Sequence, residues 1–209
     1  MRTVTWSIVA VSWMLSMGTG IAHAEQAKPT QPPMDPARQA AMETLQRLGS
    51  PSEGHHALEP FVGEWTYTAT WRMSPEAAPE SMTGTATNSL IFGGRFLKQE
   101  IRGQAQAEGQ PPFEGIGFTG YDNIRKEYQT VWFDNMNTSM MRSEGQFNTA
   151  TQTLTDEGDF SCPLTGETHR WYRSAWKVVD SDHTTYESFA RTPEGREFRS
   201  MEIHYTRAQ

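Results

Sequence analysis

From Glu64 to Arg207 apolar and polar residues alternate with a period of two. In the first such segment Trp65, Tyr67, Ala69, Trp71 and Met73 share one face, and Thr66, Thr68, Thr70 and Arg72 share the other. In the next, Met82, Gly84, Ala86, Leu90 and Phe92 oppose Thr83, Thr85, Thr87 and Ser89. This is the period of a strand with one dry and one wet face. The pattern returns over 96–103, 140–147, 152–160, 167–179, 183–191 and 197–207, with turn-forming residues between the segments. At the centre, 112–135 reads as a hairpin folded at Tyr121-Asp122-Asn123. Asp and Asn accept turn conformations there, and Ile116, Phe118, Val131 and Phe133 suit a half-buried pleated surface. About ten strands with short sequential connections predict an all-β fold, a single antiparallel up-and-down β-barrel, wide enough to hold a ligand cavity.

The period differs ahead of Glu64. Asp35 is a good N-cap, Pro36 suits the first helical position, and Ala41, Met42, Leu45 and Leu48 recur at helical spacing before Gly49. This predicts one helix and a loop over 35–54, packed outside the barrel or across one end. The segment His55–Val62 reads as a helical turn that enters the barrel domain, 55–209, and plugs it. Residues 25–34 are a Pro- and Gln-rich linker. Residues 1–24 read as a signal peptide, with Arg2, an apolar run from Val4 to Met17, and small residues at Ala22 and Ala24. The expectation is a periplasmic or secreted protein, cleaved near Ala24 and not inserted in a membrane.

Charge narrows the partners. Against 25 acidic residues stand 18 basic ones, scattered along the chain, for a net charge of −7, which makes nucleic acid a poor partner. The single cysteine, Cys162, lies in a turn-like segment and excludes an internal disulfide, so stability must come from the core.

The succession His56-Ala-Leu, Gly63-Glu-Trp65, Gly93-Gly-Arg-Phe-Leu97, Pro112-Phe-Glu-Gly115, Gly120-Tyr-Asp122, Trp132-Phe-Asp134, Thr138-Ser-Met-Met141, Pro163-Leu-Thr-Gly166 and Met201-Glu-Ile-His-Tyr-Thr-Arg207 resembles the bacterial domain-of-unknown-function 1579 family over about residues 55–207. The resemblance implies a calycin-like barrel related in shape to lipocalins, fatty-acid-binding proteins and nitrobindins. It implies no activity.

Strand phase selects the candidate ligand-binding residues. Trp65, Tyr67, Trp71, Trp132, Met140 and Tyr205 can form an apolar wall; Arg95 and Gln99 run in phase with Leu97 and Ile101; Asp134 shares a face with Tyr128, Thr130 and Trp132. A guanidinium in such a space needs an anionic partner, so the expected ligand is a small amphipathic anion, unless an internal carboxylate takes that role. Arg199 and Arg207, in phase with Met201, Ile203 and Tyr205, are further candidates for the cavity or its rim. Asp134 beside aromatic rings could act as a general base or as a structural acceptor at a turn. A haem would need an imidazole in the cavity, yet His204 shares a face with Ser200, Glu202 and Thr206 and is expected to meet solvent. His55 and His56 lack a nearby third donor, and no His/Cys spacing is of metal-site type, so neither metal nor cofactor is expected and no catalytic residue is identified. Three function classes remain: a module that binds a small hydrophobic or amphipathic ligand, an acid–base enzyme using a cavity carboxylate, and a structural or partner-binding envelope protein.

Overall fold

Each strand of the structure pairs antiparallel with its neighbour in the chain, and the first pairs with the last. The computed structural model describes residues 35–105 and 109–209, so the leader and linker expected over 1–34 lie outside the described residues. The strands are β1 (Gly63–Trp71), β2 (Glu80–Ile91), β3 (Phe96–Gly103), β4 (Glu114–Asp122), β5 (Glu127–Asp134), β6 (Met141–Asn148), β7 (Thr153–Phe160), β8 (Arg170–Val178), β9 (His183–Arg191) and β10 (Glu197–Arg207). They form a closed barrel in sequential order, sealed by the β1–β10 pair. Closure leaves no free sheet edge among the described strands.

Register carries the alternation around the barrel. Tyr67 stands opposite Tyr205 on one side and Gly84 on the other. Opposed residues share a face, so the Trp65, Tyr67 and Ala69 face of β1 points inward and is buried, while Thr66 and Thr68 are exposed and Thr70 is half-buried. The central hairpin turns over Asp122–Glu127, where Asp122 Oδ1 accepts from the amides of Ile124 (2.7 Å) and Arg125 (3.1 Å). Its inward face is the Gly115, Gly117, Thr119 face, set against Thr130, Trp132 and Asp134. Ile116, Phe118, Val131 and Phe133 are therefore half-buried on the outside, with the Phe118 and Phe133 rings 6.2 Å apart.

One end of the barrel is stoppered by the chain that precedes β1. A short helix, α2 (Glu53–His56), and a 3-10 turn (Glu59–Phe61) drive Leu58 and Phe61 into the barrel end, where both are completely buried. They pack against Leu97, Tyr128, Leu154 and Trp176, with the Phe61 and Trp176 rings 4.2 Å apart. Burying two such side chains contributes roughly 1.5–3 kcal/mol each. The Phe61 carbonyl accepts from Trp65 Nε1 (3.0 Å) and Asn88 Nδ2 (2.8 Å), which ties the plug to β1 and β2.

The preceding helix, α1 (Pro36–Gly49), starts at the expected Asp35 cap but does not pack as expected. None of its residues is buried, and Met42 and Leu45 are exposed. It is held at its C-terminal end. Asn123 Nδ2 donates to the Leu48 and Ser50 carbonyls (2.9 and 2.8 Å), and Arg95 Nε donates to the Gly49 carbonyl (2.8 Å). The space at the barrel end that it could have covered is filled by Leu58 and Phe61.

Candidate functional site

Above the plug the barrel is hollow. A cavity of about 510 Å³ runs from buried Leu97, Leu154 and Trp176 to exposed Gln104, Gln110 and Met136, so its mouth lies at the end opposite the plug. That volume falls within the range of small-molecule sites.

The two sides of the cavity differ in chemistry. Strands β10, β1, β2 and β3 supply an apolar and aromatic wall around Tyr67, Trp71, Ile101, Met201, Ile203 and Tyr205. The other six strands place small hydroxyls side by side. Thr119 faces Thr130, Thr130 faces Ser143, and on the neighbouring strands Asp156 faces Ser174 and Ser174 faces Ser188. Gly158 opposite Ser143 and Gly145 opposite Asp156 leave the space that brings the two runs together. Each of these hydroxyl residues lines the cavity. The result is a polar belt crossing β4 to β9.

Asp156 is the acid of this belt. It is buried, and the Ser174 hydroxyl donates to its Oδ1. Burial holds its carboxyl above the usual carboxylate range, while the hydroxyls of Ser174, and beyond it Ser143 and Thr130, pull the other way. Tyr172 and Tyr186, on β8 and β9, also face this part of the cavity, and burial raises both phenols so that they remain neutral donors. Three further polar atoms of lining residues, Tyr67 Oη, Gln99 Nε2 and Ser143 Oγ, are buried with no partner of ordinary hydrogen-bond geometry. An unsatisfied buried donor or acceptor costs about 1–3 kcal/mol, so three on residues that line one space are unusual for a purely structural interior.

The structure brings six of the sequence candidates together in this cavity: Tyr67, Trp71, Gln99, Trp132, Asp134 and Tyr205. The other three stand elsewhere. Trp65 is buried against the plug, with its ring under the Arg207 guanidinium (4.1 Å). Met140 precedes β6 and is exposed; the next residue, Met141, starts the strand and takes the inward place. Arg95 does not reach the cavity. It lies in the β2–β3 turn, where the left-handed backbone of Phe92, Gly93 and Gly94 breaks the phase read from Leu97, and it donates to the Phe92 and Gly49 carbonyls.

The remaining arginines are also outside. A bulge between Arg199 and Met201 inserts Ser200, so Met201 faces Ser188 inside while Arg199 faces Phe189 outside and pairs with Glu187 (2.6 Å) and Glu202 (2.8 Å). Arg207 is inward in phase but lies at the plugged end, where it donates to the Val62 carbonyl (2.8 Å). Among the described residues no lysine or arginine lines the cavity, which removes the expected cationic site.

Asp134 sits near the mouth with both oxygens engaged: Oδ2 accepts from Trp132 Nε1 and Oδ1 from the Met136 amide, each at 2.9 Å. It has the geometry of a turn acceptor. No described histidine lines the cavity. His55 is buried in the plug, its Nδ1 accepting from the Ser52 amide (3.0 Å), and His56, His169, His183 and His204 are exposed. A haem held through an axial imidazole therefore has no ligand among these residues.

Sequence reasoning missed the belt and Asp156. The signal was present, since Asp156 alternates with the apolar Leu154, and Ser143 with Met141. No single strand, however, shows that these hydroxyls become neighbours.

The family model described as protein of unknown function (DUF1579) matches residues 50–207. Among solved structures, Rv2717c from M. tuberculosis is similar over 77% of this chain and 100% of its own, at 16% identity and a TM-score of 0.59. The S-type phycobiliprotein lyase CPES from Guillardia theta is similar over 76% of this chain and 99% of its own, at 9% identity and a TM-score of 0.49. A redesigned β-barrel covers 76% of this chain and 100% of its own, at 12% identity and a TM-score of 0.38. At 16% identity the likeness to Rv2717c is one of fold. Comparison with curated proteins finds no match.

Proposed function

The chain belongs to the family described as protein of unknown function (DUF1579), and from that premise we propose that it is an exported carrier that holds a small amphipathic molecule in its barrel. The observation that carries this reading is the pairing of an aromatic wall with a hydroxyl belt across about 510 Å³, with Tyr67 Oη, Gln99 Nε2 and Ser143 Oγ buried and unpartnered beside it. An amphipathic guest would bury its apolar body on one wall and satisfy polar groups on the other. Export is supported by the leader read over Met1–Ala24.

Native mass spectrometry of the protein purified from its own cells tests both parts. The expected result is a mature chain beginning at Glu25 with a small molecule bound. A chain that keeps its leader refutes export, and one that carries no guest and takes up none of a panel of amphiphiles refutes the carrier.

A second reading, acid–base catalysis on the guest, is favoured by one observation. Asp156 is a buried cavity carboxyl with a raised pKa, the environment that suits a proton-transfer group near neutral pH. It is a better candidate than Asp134, whose oxygens are both engaged. Chemical change of the guest on incubation with the wild type but not with Asp156→Asn would establish this reading over simple carriage.

A further inference from the structure

We propose that the guest is a cationic amphiphile, an ammonium-type head on an apolar body, with the head seated at Asp156. This rests on the carrier reading and names its ligand class. The charges of the lining residues give the first argument. They include two carboxylates, Asp134 and Asp156, and no lysine, arginine or histidine among the described residues. The arginines closest in sequence phase are all spent elsewhere, Arg95 and Arg207 on backbone carbonyls and Arg199 on Glu187 and Glu202. An anionic head placed here would meet two carboxyl side chains and no cationic side chain to pair with it, and burying an unpaired charge is expensive.

The second argument is acceptor capacity. A carboxylate offers about four lone-pair sites, and among the described residues Asp156 receives one hydrogen bond of full geometry, from Ser174. Ser143, diagonal to it across β6 and β7, keeps a buried hydroxyl with no partner of ordinary hydrogen-bond geometry. Ser188 and Thr130 flank the group along the belt. An ammonium has three donors and no acceptor, so it complements a carboxylate ringed by hydroxyls that can all turn their lone pairs toward it.

The opposite wall fits the rest of such a molecule. Tyr67 and Tyr205 lie with ring centroids 5.9 Å apart, and Trp71 also lines the cavity. Aromatic faces accept both an apolar body and a nearby positive charge. Burial disfavours an empty, ionised Asp156, and a bound cation reverses that preference by pairing with it.

The test uses decylamine, decanol and decanoate below their micellar concentrations, titrated into the full-length mature protein at pH 7 and read by the emission of the cavity tryptophans. A charge-assisted hydrogen bond in a closed site is worth roughly tenfold or more in affinity, so decylamine should bind at least about tenfold more tightly than decanoate, with decanol between. In Asp156→Asn the amine should fall to the level of the alcohol, while Glu157→Gln, at an exposed position on the outer face of the same strand, should leave the ranking in place.

Decanoate binding as tightly as decylamine in the wild type overturns the proposal and leaves the carrier standing; this needs no variant to fold. An amine preference that survives in folded Asp156→Asn also overturns it, because the head is then held elsewhere. Failure of all three probes to bind removes the carrier and this inference together.

Discussion

The indole of Trp132 occupies the space that a side chain on Gly115 would need. A Cβ built on Gly115 would stand 2.7 Å from the ring's Cη2, and one built on Gly117 would stand 2.9 Å from its Cε3. The ring thus lies over two glycines of the paired strand, and its Nε1 reaches Asp134. Gly115→Ala should push the ring into the cavity or off its partner, costing about 1–3 kcal/mol. Gly49→Ala, where nothing lies within 4 Å, serves as the control and should cost nothing. Chemical denaturation of the two variants checks this, and equal stability would refute the packing argument.

Asp156→Asn should gain stability relative to wild type as pH rises. The folded carboxyl keeps its proton to higher pH than the unfolded one, because burial disfavours the charge. Raising the pH past the ordinary carboxylate range therefore ionises the unfolded chain first and takes stability from the wild type, by about 1.4 kcal/mol for each unit of upward displacement. The amide has no such loss. His55, whose pKa burial lowers, makes the fold less stable as pH falls through the imidazole range, but it is common to both proteins and cancels. The Tm difference, variant minus wild type, should grow from pH 3.5 to pH 8; a flat difference would mean that Asp156 titrates as an exposed carboxyl does.

Phe61→Ala should remove the stopper. Phe61 is fully buried and packs on Trp176, and losing an aromatic core side chain costs about 3–5 kcal/mol. Tryptophan emission should shift to the red as Trp176 gains water. A loss below 1 kcal/mol would show that the plug is not part of the core.

Arg95→Met should leave ligand titrations unchanged and loosen α1 instead. The guanidinium holds the Gly49 and Phe92 carbonyls at 2.8 Å, and Asn123 holds the same helix end from the β4–β5 turn. Asn123→Ala should cost more, about 1–3 kcal/mol, because Asn123 is buried and also accepts from the Ser52 hydroxyl (2.7 Å). Tryptic cleavage after Arg47 should accelerate in both variants. A ligand affinity lowered by Arg95→Met would place that side chain back at the cavity.

What the sequence determined by itself was the set of strands and which residues share a face, because side chains on a pleated strand alternate whatever the strand packs against. The segments 96–103, 183–191 and 197–207 coincide with β3, β9 and β10, and the inward run of Trp65, Tyr67 and Ala69 follows from the same rule. The plug was legible too, since Leu58 and Phe61 are apolar residues in a short turn just ahead of the first strand.

Tertiary structure decided where that rule fails and what it adds up to. Phase does not pass through a turn or a bulge, so the left-handed turn at Phe92–Gly94 carried Arg95 outside, and the extra Ser200 reversed Arg199. Phase along one strand also contains no information about its neighbours. Ser143, Asp156, Ser174 and Ser188 are unremarked polar residues on four separate segments, and only the inter-strand register of a closed barrel sets them side by side around a single buried carboxyl.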